Sequence, residues 1–446
     1  MKKLLSVLLC LVMASMLFTG LALAEDNVIN VYAFTDEVPG MLQKYVDEHP
    51  DFGYTLNCTI IATTEGAYQP ALDQALAAGG ADAPDIYCAE AAFVLKYTQG
   101  DAAGFAASYA DLGIDIDAEL AAADIAQYSV DIGTRGDGAV VGLGYQATGG
   151  VFIYRRSIAK DVFGTDDPET IAEVIGAGSG SWDKFFEAAE ALKEKGYGII
   201  SGDGDLWHAV ENSSDTGWIV DGKLNIDPKR EAFMDLSKTL KDNDYHNDTQ
   251  DWQDAWFADM AGVGAKGIFG FFGPAWLINY TMAPNCGGSA VGEGTYGDWA
   301  VCAPPIGFFW GGTWLLANKD TAKADAVAEL IKWVTLDCTE DGLQYHWANG
   351  TMVEGEQGTK DCVASGTVMA MSNGELDFLG GQNMFEAFVP ANAYANGTHL
   401  TQYDETINMY WRDAVRQYTS GALSKEDAIK SFKQNVADNL DVIVEF

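Results

Sequence analysis

The stretch VINVYAFTDEVPGMLQKYVDEHPDFGYTLNCTII at residues 28–61 decides the fold class. Its first seven residues form a β-rich run. Apolar residues then recur at helical spacing from Met41 up to Pro50, and Tyr54–Ile61 is a second β-rich run. Strand, helix and strand in this order predict neighbouring parallel strands joined by a right-handed helical crossover.

The same alternation continues towards the C-terminus. An Ala- and Leu-rich helix is predicted over Ala71–Ala78, closed by two glycines, and a third strand runs from Pro84 to Glu90. We therefore predict an α/β fold with a parallel sheet. Ligands of such sheets bind at the carboxyl ends of the strands, which directs attention to the loops at Thr35–Glu37 and Ala89–Ala91.

Further along, Gly138–Tyr154 is a glycine-punctuated extended stretch that predicts a crossing between two lobes. Strands are predicted at Asp298–Ala303 and Gly311–Asn318, and Gly264–Trp276 has the pattern of a strand, a turn and the start of a helix. The remaining pattern predicts long helices over Trp182–Lys195, Lys229–Lys241, Ala322–Leu336 and Lys425–Asn439.

Length and charge limit the function classes. The chain has 446 residues, 26 Lys+Arg and 65 Asp+Glu, for a formal net charge of −39. The length favours two lobes over one core. The acidity argues against nucleic acid and against anionic lipid surfaces, because both are bound through clustered Lys and Arg.

Residues 1–24 have the pattern of a secretory signal peptide. Lys2 and Lys3 precede an apolar run, and Ala22-Leu23-Ala24 forms an A-x-A cleavage site. We expect cleavage after Ala24, which leaves 446 − 24 = 422 residues. No Cys stands at the cleavage point, so no lipobox is seen, and we expect an exported protein that is extracellular or associated with the cell envelope.

Six cysteines follow the predicted signal peptide. An even number in an exported chain favours disulfides, and we predict the local pairs Cys58–Cys88, Cys286–Cys302 and Cys338–Cys362. No Cys-x-x-Cys motif occurs and the five His are scattered, so we expect no metal site and no cofactor.

Several short motifs occur together in one order. They are Ala83-Pro84-Asp85-Ile86, Asp137-Gly138 through Gly144-Tyr145 with Phe152-Ile153-Tyr154, Ser181-Trp182-Asp183, Ala265–Phe269 with Gly273-Pro274-Ala275-Trp276, and Gly311-Gly312 before the Ala324–Val334 helix. In this order they resemble the extracellular solute-binding proteins of ABC importers, in the carbohydrate-binding branch that includes maltodextrin-binding proteins. The resemblance covers nearly the whole mature chain. Two departures are Tyr154-Arg155-Arg156, where the family has Tyr-Asn-Lys, and the missing lipobox Cys.

This resemblance implies a two-lobed periplasmic-binding-protein-like fold with hinge-connected lobes and a ligand cleft between them. Residues 25–143 and 311–352 would form the first lobe, and residues 144–310 and 353–446 the second. It also implies a monomeric receptor, not an enzyme, that closes on a carbohydrate, expected to be an oligosaccharide, and delivers it to permease subunits in the membrane.

Candidate ligand-binding residues follow from the chemistry of sugars. Indole rings pack on the C–H faces of sugars, and carboxylates accept hydrogen bonds from neighbouring hydroxyls. The resemblance places an aromatic platform at Trp276. The full set of candidates, taken from strand and helix ends, comprises Asp36, Glu37, Glu90, Tyr145, Asp203, Trp207, Trp276, Trp310 and Trp314.

Two alternatives remain open at this stage. The acidity and the carboxylates of Asp36, Glu37 and Glu90 also suit a receptor for a polyamine or another cation. A secreted glycan-active enzyme is the second alternative, although the chain has no Gly-x-Ser-x-Gly elbow and no eightfold βα repeat. The sequence leaves the identity, linkage and length of the sugar undetermined.

Overall fold

The computed structural model describes residues 27–446 apart from 64, 65, 354, 356 and 357. The predicted signal peptide and its cleavage site lie outside the described residues. Within them the chain forms the α/β architecture expected from the sequence, with two main sheets, each covered by helices.

The strands are β1 (Val28–Ala33), β2 (Thr55–Ile60), β3 (Ile86–Glu90), β4 (Gly142–Gly144), β5 (Val151–Arg155), β6 (Ile219–Val220), β7 (Lys223–Leu224), β8 (Gly270–Gly273), β9 (Trp299–Cys302), β10 (Thr313–Ala317), β11 (Glu375–Leu376) and β12 (Gln382–Asn383).

The α-helices are α1 (Glu37–Glu48), α2 (Tyr68–Ala78), α3 (Val94–Thr98), α4 (Ile116–Ala123), α5 (Gln127–Gly133), α6 (Arg156–Phe163), α7 (Pro168–Ile175), α8 (Asp183–Glu194), α9 (Asp203–Glu211), α10 (Pro228–Asp242), α11 (Asp254–Met260), α12 (Ala283–Asn285), α13 (Ala324–Thr335), α14 (Leu343–Asn349), α15 (Gly366–Ala370), α16 (Phe385–Ala391), α17 (Asp404–Thr419) and α18 (Lys425–Asn439). A π-helix covers Leu277–Met282, and 3₁₀ turns cover Ala103–Phe105, Asp377–Leu379 and Asn392–Tyr394. None of the helices among the described residues has the length and apolar character needed to cross a bilayer.

The first sheet has the strand order β2-β1-β3-β10-β4. Strand β1 is parallel to both β2 and β3, as the opening sequence pattern predicts. Strand β10 returns from far along the chain and inserts antiparallel between β3 and β4. The first lobe is therefore built from two separate parts of the chain.

The second sheet has the order β8-β5-β9 and is antiparallel throughout. Strand β4 belongs to the first sheet and β5 to the second, so the chain changes lobe between Gly144 and Val151. The crossing predicted within Gly138–Tyr154 is thus confirmed. The lobe boundaries predicted from the sequence remain a prediction.

Each lobe has its own apolar core. In the first, Ile29 and Val31 of β1 pack with Leu42 of α1 and Leu330 of α13. These four side chains are fully buried, which corresponds to roughly 1.5–3 kcal/mol of transfer free energy for each. The main core of the second lobe contains side chains of β5, α8 and the C-terminal helices α17 and α18.

The long helices begin where their capping residues stand. Ser424 accepts a hydrogen bond from the backbone N–H of Asp427 at 3.1 Å and so starts α18 at Lys425. Asp227 caps α10, whose first residue, Pro228, has no N–H that would need a partner. The predicted helix Lys425–Asn439 is confirmed in full, and Lys229–Lys241 is confirmed to within one residue at each end.

The disulfide prediction is wrong. All six cysteines of the described chain, Cys58, Cys88, Cys286, Cys302, Cys338 and Cys362, are free thiols. Cys58 lies on β2 and Cys88 on β3, but β1 stands between these strands in the sheet. Strands β2 and β3 are consecutive in sequence but are not neighbours in the sheet, so the argument for pairing Cys58 with Cys88 fails.

Candidate functional site

A cavity of about 160 Å³ lies where the two lobes meet. From the first lobe it is lined by the carboxyl end of β3, at Glu90, and by the loop that follows. From the second lobe it is lined by the end of α9, by Arg230 of α10 and by the start of α17. Trp310, just before β10, forms an aromatic wall.

Four carboxyl groups line this cavity, from Glu90, Glu211, Asp404 and Glu405, and Arg230 is the basic residue among the lining side chains. Burial raises the pKa of Glu90 to about 7 and that of Asp404 to about 6. Burial also raises the pKa of Glu211 and of Glu405. The cavity therefore offers acceptors and, when a carboxyl is protonated, also donors.

Arg230 is almost fully buried, with 2% of its surface exposed. Its guanidinium group lies over the ring of Trp218 at 4.3 Å and donates hydrogen bonds to the carbonyl oxygens of Thr216 and Glu211, at 3.1 and 3.2 Å. Its Nε has no partner among the described residues. These contacts fix a positive charge at the wall of an acidic cavity.

Three tryptophans form an aromatic cluster beside the cavity: Trp252, Trp276 and Trp310. The rings of Trp276 and Trp310 meet edge to face, with centroids 4.8 Å apart and planes at 62°. Trp252 is nearly parallel to Trp276, at 6.2 Å and 9°. Trp276 Nε1 donates a hydrogen bond to the carbonyl oxygen of Trp310 at 3.0 Å. We call these three residues the tryptophan cluster.

Local sequence explains how two of these rings come together. Gly273-Pro274 ends β8, and Trp276 lies in the first helical turn after it. On the other side, Gly311 has φ = +73°, a left-handed conformation that glycine adopts readily. A Cβ at this position would lie 3.2 Å from Trp276 Nε1, so a side chain here would press on the ring.

Trp252 holds an unusual backbone conformation, with φ = +64°. A bulky residue in the left-handed region is strained, and strain of this kind is concentrated at functional sites. Its side chain is also 45% exposed, while Trp256 in the helix that follows is buried. The structure thus presents a strained, exposed indole ring at the site.

Comparison with known proteins identifies the family. The profile described as bacterial extracellular solute-binding protein matches residues 34–337, which is more than half of the chain. The chain belongs to this family. No curated protein matches it in sequence.

Solved structures share the fold of this solute-binding protein. An extracellular solute-binding protein of family 1 superposes with a TM-score of 0.71 at 18% identity and covers 92% of this chain and 99% of its own. The binding protein from B. animalis subsp. lactis in complex with β-1,6-galactobiose gives 0.62, at 20% identity and coverages of 92% and 97%. The galacto-N-biose/lacto-N-biose I-binding protein from Bifidobacterium longum gives 0.66, at 16% identity and coverages of 94% and 98%.

Three of the predicted site residues of this solute-binding protein come together. Glu90 and Trp310 line the same cavity, and Trp276 contacts Trp310 directly. Glu90 lies at the carboxyl end of a central strand, as the general rule for such sheets requires. These three remain our proposal for ligand contact.

Asp36, Glu37 and Tyr145 form a second group, at the end of β1 and after β4. The Tyr145 hydroxyl donates a hydrogen bond to a carboxylate oxygen of Glu37, and Tyr145 itself is buried. Burial raises the pKa of Glu37. Burial also raises the pKa of the nearby Asp361, to about 7. Asp36 is exposed at the N-terminus of α1. None of these residues lines the cavity at Trp310.

The other three predicted residues lie away from the cavity. Trp314 is 1% exposed and donates a hydrogen bond to the carbonyl oxygen of Ser129 at 3.0 Å, so it fills the core under the first sheet. Trp207 packs on Phe233 within the second lobe. Asp203 forms an ion pair with Arg412 at 2.7 Å. All five residues of β10 are buried, so this interior strand is covered on both faces and Trp314 packs into a core.

Sequence reasoning missed Trp252 and the second-lobe side of the cavity. Trp252 stands four residues before Trp256, a spacing that predicts one face of a helix, yet α11 begins only at Asp254. Asp404 and Arg230 reach the cavity from helices distant in sequence, and no local pattern marks them. The one usable signal was the high Trp content around this segment.

A pH-dependent stability follows from Glu90. Its pKa is raised from the ordinary 4.5 to about 7, so between these values the folded protein binds more protons than the unfolded chain. The free energy of unfolding should therefore fall as pH rises through this range. In Glu90→Gln this slope should become shallower by up to about 1.4 kcal/mol per pH unit.

Urea unfolding at pH 5, 6 and 7 measures this slope. The exposed Glu169→Gln is the matched control and should follow the wild type. Equal slopes for Glu90→Gln and the wild type would show that Glu90 does not titrate in this range.

Proposed function

We propose that this protein is the exported receptor of an ABC importer and that it captures a carbohydrate between its lobes. The observation that carries the proposal is the tryptophan cluster beside a polar cavity where the lobes meet. A sugar needs apolar ring faces for its C–H groups and fixed donors and acceptors for its hydroxyls. Both kinds of surface meet here at Trp310.

The family and its structural relatives support this proposal. Two of the relatives with the same fold have been solved with β-1,6-galactobiose and with lacto-N-biose. By analogy, we infer that the present chain delivers its ligand to membrane permease subunits after the lobes close. We further propose that the protein is exported after removal of residues 1–24 and acts as a monomer without enzymatic activity.

A cation receptor is the second candidate, because four carboxyl groups face one Arg in the cavity. The raised pKa values of Glu90 and Asp404 weaken this alternative, since a preformed cation site would favour the ionised carboxylates. Arg230 would also repel a cationic ligand. The neutral hydroxyl groups of a sugar fit this mixture of acceptors and donors better than a cationic ligand does.

A thermal-unfolding panel tests the proposed function. We expect β-1,6-galactobiose, lacto-N-biose or a maltodextrin to raise the unfolding midpoint, because a ligand at about 100 times its Kd adds about 2.7 kcal/mol to the stability of the folded state. Spermidine at the same concentration and ionic strength should leave it unchanged. Stabilisation by spermidine with no response to any sugar would overturn the proposal.

A further inference from the structure

His208 of α9 lies directly against the tryptophan cluster. Its imidazole ring is stacked on Trp310, with centroids 3.5 Å apart and planes at 13°. One face of Trp310 is thereby covered, so a sugar can stack only on the opposite face. His208 is 8% exposed, which makes it part of the support beneath the cluster and keeps it from the ligand surface.

The same His208 holds the segment that carries Trp252. Its Nε2 lies 3.0 Å from a carboxylate oxygen of Asp251, the residue immediately before the strained Trp252. Asp251 in turn packs against Gly204 of α9, where a Cβ would collide with its carboxylate. A tryptophan keeps a left-handed backbone conformation only where the surrounding contacts impose it, and the anchored Asp251 supplies such a contact.

A second tie connects the same two segments. Asp205 of α9 accepts a hydrogen bond from Trp256 Nε1 at 3.0 Å, and Trp256 packs against Trp252 with centroids 5.5 Å apart. Helix α9 thus holds the chain on both sides of Trp252, through Asp251 before it and Trp256 after it.

The arrangement carries a cost in stability. His208 Nδ1 and Asp251 Oδ1 are both buried and have no hydrogen-bond partner within the described chain. Unsatisfied buried polar atoms are rare in native proteins and each calls for an explanation.

We propose that His208 and Asp251 are positioning residues, which fix the faces that Trp310 and Trp252 present before a ligand arrives. That these residues serve ligand binding rests on the proposed function. Whether they hold Trp310 and Trp252 in place can be tested without a ligand. Preorganised contacts strengthen binding because the ordering cost is met during folding.

The test compares Asp251→Ala with the conservative Asp251→Asn, whose amide can still reach His208, and with Asp254→Ala, which removes an exposed carboxylate three residues further along. In Asp251→Ala we expect a changed near-ultraviolet circular dichroism spectrum and faster iodide quenching of tryptophan fluorescence. A modest fall of the unfolding midpoint is expected, because the substitution removes the orphan Asp251 Oδ1 but leaves the buried His208 Nε2 without its hydrogen-bond partner. Asp251→Asn and Asp254→Ala should keep the wild-type spectrum.

Binding provides the second readout. For whichever of lacto-N-biose, β-1,6-galactobiose and maltotriose binds the wild type, Asp251→Ala should raise Kd roughly tenfold and Asp251→Asn much less. A wild-type near-ultraviolet spectrum together with wild-type iodide quenching in Asp251→Ala would overturn the positioning role. If none of the sugars binds the wild type, the proposed function fails, and the spectra alone decide the positioning role.

Discussion

Trp310→Ala is expected to weaken sugar binding by about 2–4 kcal/mol, the range of strong hot-spot residues. Trp310 lines the cavity, meets Trp276 edge to face and is buttressed by His208 on one face. Its removal takes away the aromatic wall and also leaves the neighbouring rings without support. Isothermal titration calorimetry with the tightest-binding panel sugar measures the loss.

The matched control is Trp182→Ala, which truncates a tryptophan that is 9% exposed in the core of the second lobe. This variant should lose roughly 3–5 kcal/mol of stability. Its affinity at a temperature where it is folded should stay close to that of the wild type. Equal affinity losses in the two variants would mean that Trp310 acts through stability alone.

Trp276→Ala is expected to cost about 1–3 kcal/mol of affinity. The ring is half-buried, faces Trp252 and donates to the carbonyl oxygen of Trp310, so it both contributes surface and holds its neighbour. A ring that acted only as a platform would hardly affect the stability of the unliganded protein. The observed hydrogen bond adds about 1 kcal/mol to the expected loss of unfolding free energy.

Trp276→Phe separates these two contributions. It keeps an aromatic ring but loses the N–H donor, so it should recover most of the affinity and show the stability loss of the hydrogen bond. Unchanged affinity in Trp276→Ala together with a stability loss of 3–5 kcal/mol would assign the ring to the core instead.

The fold could be predicted because its signals are local. Alternating strand and helix patterns, the capping Ser424 and the glycine-rich crossing each act over a few residues. The prediction that Glu90 lies at the site followed from the rule that ligands bind at the carboxyl ends of strands. The prediction that Trp276 lies at the site followed from a family motif at a strand–helix turn.

The rest of the site depends on contacts between segments far apart in sequence. Asp404 and Arg230 lie 174 positions apart and meet only in the folded protein. Trp252 has the spacing of a helical residue but adopts a left-handed backbone that tertiary contacts determine. The predicted disulfide between Cys58 and Cys88 was wrong because the sheet order places β1 between their strands.

The central claim is that a sugar binds against the tryptophan cluster, and ¹⁹F NMR of protein labelled with 5-fluorotryptophan tests it most directly. Signals can be assigned with single Trp→Phe variants. On addition of the binding sugar, we predict shifts for Trp252, Trp276 and Trp310, while the fully buried Trp218 and Trp411 of the second-lobe core keep their positions. Binding of a sugar without a shift in any of the three cluster signals would contradict the account.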